Sequence, residues 1–164
     1  MGQIEHQRRS IRLQGYDYST PGAYFVTICT QKRECLFWDG HNKKIVLSQM
    51  GKIAKHAWLD LPHHYQNAQL DAFCIMPNHV HGVIVLTENG TDNRHDLPEM
   101  IRAFKSFSAR RINDIRHIHG TPVWQRNYYE HIIRDQEEWG RIRDYILANP
   151  QNWAVDEEYI KYTP

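Results

Sequence analysis

Met76-Pro77-Asn78-His79-Val80-His81-Gly82-Val83-Ile84-Val85-Leu86 is the stretch on which the reading of this sequence turns. From Val80 to Leu86 it is dense in β-branched residues, which favour an extended chain. Side chains on a strand alternate between faces, so His79 and His81 point the same way and Val80 points into the opposite layer. Two imidazoles at this spacing can grip one metal ion, and a rigid central strand is a good mount for such a pair. The pattern His-x-His is weak alone. His117-Ile118-His119 repeats it among 11 histidines, but at the ragged end of a helix before Gly120-Thr121-Pro122, where the two rings diverge. We read that second copy as a decoy, and His63 and His64 beside Pro62 as loop residues.

Leu70 to Met76 reads as the preceding strand, joined to the first stretch through Met76-Pro77-Asn78. Ala23 to Thr30 reads as an earlier strand, and Leu36 to Trp38 as a short paired strand or hairpin arm. Ser48 can cap a helix running to about Leu61, where Pro62 stops it; Met50, Ile53, Ala54, Ala57, Trp58 and Leu61 keep one face apolar. A polar loop follows from Thr87 to Asp96. Leu97 to Ile115 reads as a second helix, with Met100, Ile101, Phe104, Phe107 and Ser108 inward. Thr121 to Trp124 reads as a last strand, and Tyr128 to Asp135 as the start of another helix. Glu137 to Leu147 continues helical, and Asn149-Pro150 ends it. The expected plan is α+β: a βαββαβ antiparallel sheet with helices on one face and extra C-terminal helices. Residues 1–164 are expected to form one domain, with an N-terminal arm over about 1–15.

Composition sets outer limits. The 164 residues are 41% hydrophobic and 12% aromatic, an ordinary globular profile with enough chain for a core. No apolar run is long enough to cross a bilayer and the first residues do not form a signal peptide, so the expectation is a cytoplasmic protein with no membrane partner. Three cysteines, Cys29, Cys35 and Cys74, contain no CxxC pair and argue against a disulfide framework or a cysteine zinc site. Net charge is only +1, but Arg102, Lys105, Arg110, Arg111 and Arg116 face a single acid, Asp114, between residues 101 and 120. Arg8, Arg9 and Arg12 add charge at the N-terminus, while Asp156, Glu157 and Glu158 turn the C-terminal end acidic. A local basic face suits a polyanion, though many such faces are merely solvated.

A second motif is Trp124-Gln-Arg-Asn-Tyr128-Tyr129-Glu130-His131-Ile132-Ile133-Arg134. A tyrosine is a covalent nucleophile when a metal or base helps it ionise. If Tyr128 begins a helix, His131 lies three residues on, nearly on the same face. Spacing alone favours the plainer reading, in which both tyrosines are ordinary core or surface aromatics.

Taken together, the two motifs resemble the single-tyrosine HUH transposases, in particular the REP-associated tyrosine transposases. The stretches Arg9 to Tyr18, Gly22 to Thr30 and Tyr145-Ile-Leu-Ala-Asn-Pro150 are similar to that branch too, so the resemblance spans nearly the whole chain. It implies a ferredoxin-like, RRM-like form of that sheet, and a metal-dependent nicking and joining enzyme acting on single-stranded or hairpin DNA through a 5′-phosphotyrosine link. It implies Mg2+ or Mn2+ held by His79 and His81, and it favours Tyr128 as nucleophile over Tyr129 through the spacing from Trp124. It also implies a polar ligand about one turn after the tyrosine. One turn after Tyr128 is Ile132, which cannot bind metal, so the expectation moves to His131. Arg8, Arg9, Arg12, Arg102, Lys105, Arg110 and Arg111 are the expected DNA contacts. Two other readings stay open: an RRM-like nucleic-acid-binding module without chemistry, and a metal-dependent hydrolase using water. The sequence does not decide between monomer and dimer, or between a mobile-element enzyme and a host protein.

Overall fold

A computed structural model describes residues 13–39, 45–88 and 94–156. Four strands form one antiparallel sheet: β1 (Gly22–Cys29), β2 (Ala68–Ile75), β3 (His79–Leu86) and β4 (Tyr129–Ile133), in the order β2-β3-β1-β4. Helix α1 (Gln49–Leu59) and the short α2 (Leu61–His64) connect β1 to β2, α3 (Leu97–Ile115) connects β3 to β4, and α4 (Gln136–Ala148) follows. The βαββαβ order expected from the sequence is the order observed.

Local chemistry sets the helix starts. The Ser48 hydroxyl accepts the Gly51 amide at 3.0 Å, Asp96 accepts that of Glu99 at 2.8 Å, and Asp135 accepts that of Glu138 at 2.8 Å. Each satisfies an N–H that has no partner within the helix.

β3 is buried along nearly its whole length because both faces of the sheet are covered. On one face Tyr24, Val26, Ile28, Val80 and Ile84 pack with Trp58 of α1 and with Leu97, Met100, Ile101 and Phe104 of α3. On the other, Phe25, Cys74, Val83 and Ile133 pack with Ile146 of α4, and with Trp139, Ile142 and Trp153. The C-terminal helix is therefore a lid on the second face. The three cysteines are free thiols, and no helix among the described residues is long and apolar enough to cross a membrane.

Three expectations are corrected. The last strand is Tyr129–Ile133, not Thr121 to Trp124, where Trp124 makes only an isolated bridge to Thr30. Pro122 offers no ladder donor, and Val123 and Trp124 are buried among the helix-side core residues. The stretch expected as a helix from Tyr128 is that same strand: Glu130 and Ile132 alternate with His131 and Ile133 across the sheet, paired with β1. Phe107 is 54% exposed rather than inward, while Ser108 is buried and its hydroxyl accepts the Trp124 indole N–H at 2.9 Å.

Gly82 meets Trp58 closely: a Cβ at this position would run into the indole ring. Gly82→Ala is expected to lower the unfolding free energy by about 1–3 kcal/mol, read from urea denaturation, because an overpacked strand and helix must separate.

Candidate active site on the second face of the sheet

The pleat of β3 sends His79 and His81 to the face covered by α4, where they are 0% and 3% exposed. Each ring is oriented through Nδ1. That of His79 lies 2.8 Å from the Asn78 carbonyl Oδ1, an acceptor, so Nδ1 carries the proton and Nε2 keeps its lone pair. That of His81 lies 2.8 Å from the hydroxyl of Thr27, its register partner on β1. The two Nε2 atoms then converge to 2.9 Å. This separation admits a hydrogen shared between the two nitrogens, or a cation held by two lone pairs. Burial, reinforced by the neighbouring His81 and opposed by Asp156, pulls His79 down to about 3, so its ring is neutral at ordinary pH.

Asp156 tips the donor set toward a cation. Its carboxylate oxygens lie 3.8 Å from His79 Nε2 and 3.7 Å from His81 Nε2, with the side chain 1% exposed. Among the described residues, His79, His81 and Asp156 form a group whose ligand atoms all lie within 4.8 Å of one another. Two imidazoles and one carboxylate suit a divalent transition ion, or a harder ion completed by water and phosphate oxygens.

Tyr145 of α4 brings its hydroxyl to 3.3 Å from His81 Nε2, while its ring packs edge-on to His81 and to Phe25. It stays 46% exposed. Asn149, one helical turn further, is buried and its Nδ2 has no hydrogen-bond partner among the described residues. Turning that amide over would put a carbonyl oxygen, a cation ligand, in the same place. Tyr145, Asn149, Asn152 and Asp156 line one cleft of about 310 Å3.

Comparison with known proteins gives this geometry a family. The model of the IS200-like transposases matches residues 22–149. The chain belongs to the IS200-like transposases. A Haemophilus influenzae protein with no assigned activity is 38% identical over 94% of both chains. A second protein of that organism, named as a REP-associated tyrosine transposase, is 28% identical over 82% of this chain and 73% of its own length. Among solved structures, a REP-associated tyrosine transposase bound to a REP hairpin superposes with a TM-score of 0.59 at 20% identity, covering 84% of this chain and 71% of that one. A Deinococcus radiodurans structure described as a transposase gives 0.50 at 22%, covering 85% and 96%. At these identities the structural likeness speaks for the fold.

In this transposase the structure brings together His79 and His81 but not the other expected members of the site. Tyr128 precedes β4 instead of opening a helix; its ring packs with the core on the helix side of the sheet, 5.2 Å beneath the Lys105 ammonium. His131 lies within β4 opposite Phe25, and its Nε2 is 2.7 Å from Glu138 Oε1. The backbone N–H of Arg134 and then His131 hold that Glu138 carboxylate below the usual range. The third member of the group beside the two histidines is Asp156, about seventy-five residues beyond them, and nothing in the sequence announces that contact. Tyr145 and Asn149 did leave a signal: a tyrosine followed one turn later by a polar side chain, as the resemblance requires. His117 takes a positive φ of 53° in a turn, so His117-Ile118-His119 is not a strand pair.

The expected DNA contacts divide. Arg8, Arg9 and Arg12 lie outside the described residues. Arg102, Arg110 and Arg111 are exposed on α3, but Arg102 faces the 122–128 segment while Arg111 lines a separate groove with His56, Asp60 and His64. Lys105 is not a free cation: its ammonium donates to the carbonyls of Gln125, Arg126 and Asn127 at 2.9, 3.2 and 3.2 Å. Lys105→Met is expected to lower the unfolding free energy by about 1–2 kcal/mol in urea titrations, because three carbonyls lose a charged donor.

Proposed function

We propose that this transposase is a metal-dependent single-strand DNA nicking and joining enzyme whose nucleophile is Tyr145. The observation that carries the reading is the 3.3 Å approach of the Tyr145 hydroxyl to His81 Nε2, beside the His79–His81–Asp156 group. Family membership and the relatives named as REP-associated transposases, one of them bound to a REP hairpin, support DNA carrying a hairpin as the substrate class.

His79 and His81 through Nε2, and Asp156 through its carboxylate, are the residues that would hold a divalent ion, with Asn149 as a further oxygen donor. Such an ion, Mg2+ or Mn2+, would polarise a scissile phosphate and lower the charge that opposes attack. Asn78 and Thr27 fix the two rings through Nδ1, so the donor lone pairs are aimed before DNA arrives. Phe25 stacks on His81 at 5.5 Å and keeps that ring from turning.

Tyr145 then contributes the chemistry. Its phenolic oxygen bonds to phosphorus as the bond to the 3′-oxygen breaks. The phenolic proton is released and the departing 3′-oxygen takes one up, so the step is proton-neutral. The products are a 5′-phosphotyrosine and a free 3′-hydroxyl. Attack by a 3′-hydroxyl from another end reverses the step and joins strands without an external energy source. Tyr145 stands on a helix rather than a loop, and its exposure leaves the hydroxyl open to a strand entering the cleft.

The test is adduct formation with end-labelled, hairpin-bearing single strands and manganese, read on a denaturing gel. A denaturation-resistant adduct is expected from the unaltered protein and from Tyr128→Phe, with none from Tyr145→Phe. An adduct that survives in Tyr145→Phe and is lost in Tyr128→Phe would return the nucleophile to the other face of the sheet. Strand cleavage with no adduct would favour water as the nucleophile.

A further inference from the structure

A groove on the opposite side of β4 from the histidine pair has no part in the chemistry above. It lies between α3 and the 122–128 segment, with a volume of about 500 Å3, and no acidic residue lines it. Arg102 and Arg126 stand exposed in its wall with Ser106 and Gln125. Between them the Lys105 ammonium, pinned by three carbonyls, lies over the Tyr128 ring. This is a trough lined by positive charge and by no carboxylate, which suits a phosphodiester backbone.

Its position gives the groove a direction. β4 is the edge strand of the sheet, so only one strand separates the groove from the other face. Tyr128 belongs to the groove, and Tyr129, the next residue, starts β4 on the histidine face, where it is 43% exposed and edge-on to Phe25 at 6.1 Å. Thr27 pairs in register with both Tyr129 and His81, so Tyr129 sits two strands from His81, about 10 Å across the sheet. A strand leaving the groove over the β4 edge meets Tyr129, then Phe25, then the His81–Tyr145 pair.

We infer that this groove is a second seat for single-stranded DNA, holding the segment that flanks the cleaved bond through Arg102 and Arg126 and handing it across Tyr129 to the site. The inference rests on the DNA-nicking reading, and binding can be measured apart from cleavage.

The probe is a fluorescein-labelled oligo(dT) of about 20 nucleotides, followed by anisotropy across a salt series with the full chain. Arg102→Glu/Arg126→Glu is expected to weaken binding about tenfold or more at moderate salt and to reduce the slope of log K against log salt by about 1.4, the loss of two single-strand phosphate contacts. Arg102→Lys/Arg126→Lys should recover most of the affinity. Lys52→Glu/Lys55→Glu, the same charge change on exposed positions of α1, should bind within about twofold of the unaltered protein. Equal affinity in the first variant, an equal loss in the α1 variant, or no oligo(dT) binding by the unaltered protein each overturns the groove. Failure of the nicking reading appears separately, as an unaltered protein that binds the probe but forms no adduct.

Discussion

Two residues apart on one pleated strand is the constraint from which the rest of this molecule follows. The period of two in β3 delivers His79 and His81 to one face and Val80, Gly82 and Ile84 to the other. The helix-side residues are locked between Trp58 and α3, and Gly82 admits the indole so closely that no side chain fits. Sliding β3 by one residue would put both imidazoles into that apolar layer, so its packing holds the register of the pair. Burial then keeps the His79 ring neutral, which leaves its lone pair available to a cation.

The opposite face is assembled from distant sequence. α4 closes it with Trp139, Ile142 and Ile146, and the same packing that seats those residues brings Tyr145 to the rim and Asn149 beneath it. The chain continues through a 3-10 segment, Asn149–Val155, to Asp156. A helix docked for hydrophobic reasons thus carries the proposed nucleophile, and the segment after it carries the carboxylate. The other motif tyrosine, Tyr128, lies on the groove side just before β4, under the Lys105 ammonium.

The sequence carried the sheet well because its signals are local. Alternation in β3, the Ser48 cap and the long apolar stripe of α3 each specify an element within a few residues. Structure departs from local pattern where tertiary pairing outweighs it. Tyr128 and His131 have helical spacing, but Ile132 and Ile133 favour a strand and β1 offers an edge to pair with, so the segment is extended and the two side chains part. The histidine pair was legible because strand geometry alone fixes it. Tyr145 and Asn149 stand one helical turn apart in the sequence, but only the docking of α4 shows that they lie beside the pair. Asp156 was not legible, since its contact depends on how a whole helix docks.

The most direct measurement is anomalous scattering from crystals of the full chain soaked in manganese. One strong peak is expected within coordination distance of Nε2 of both His79 and His81, with the Tyr145 hydroxyl facing it from α4. A peak at His131 and Glu138, or no peak at the pair under saturating manganese, would contradict it.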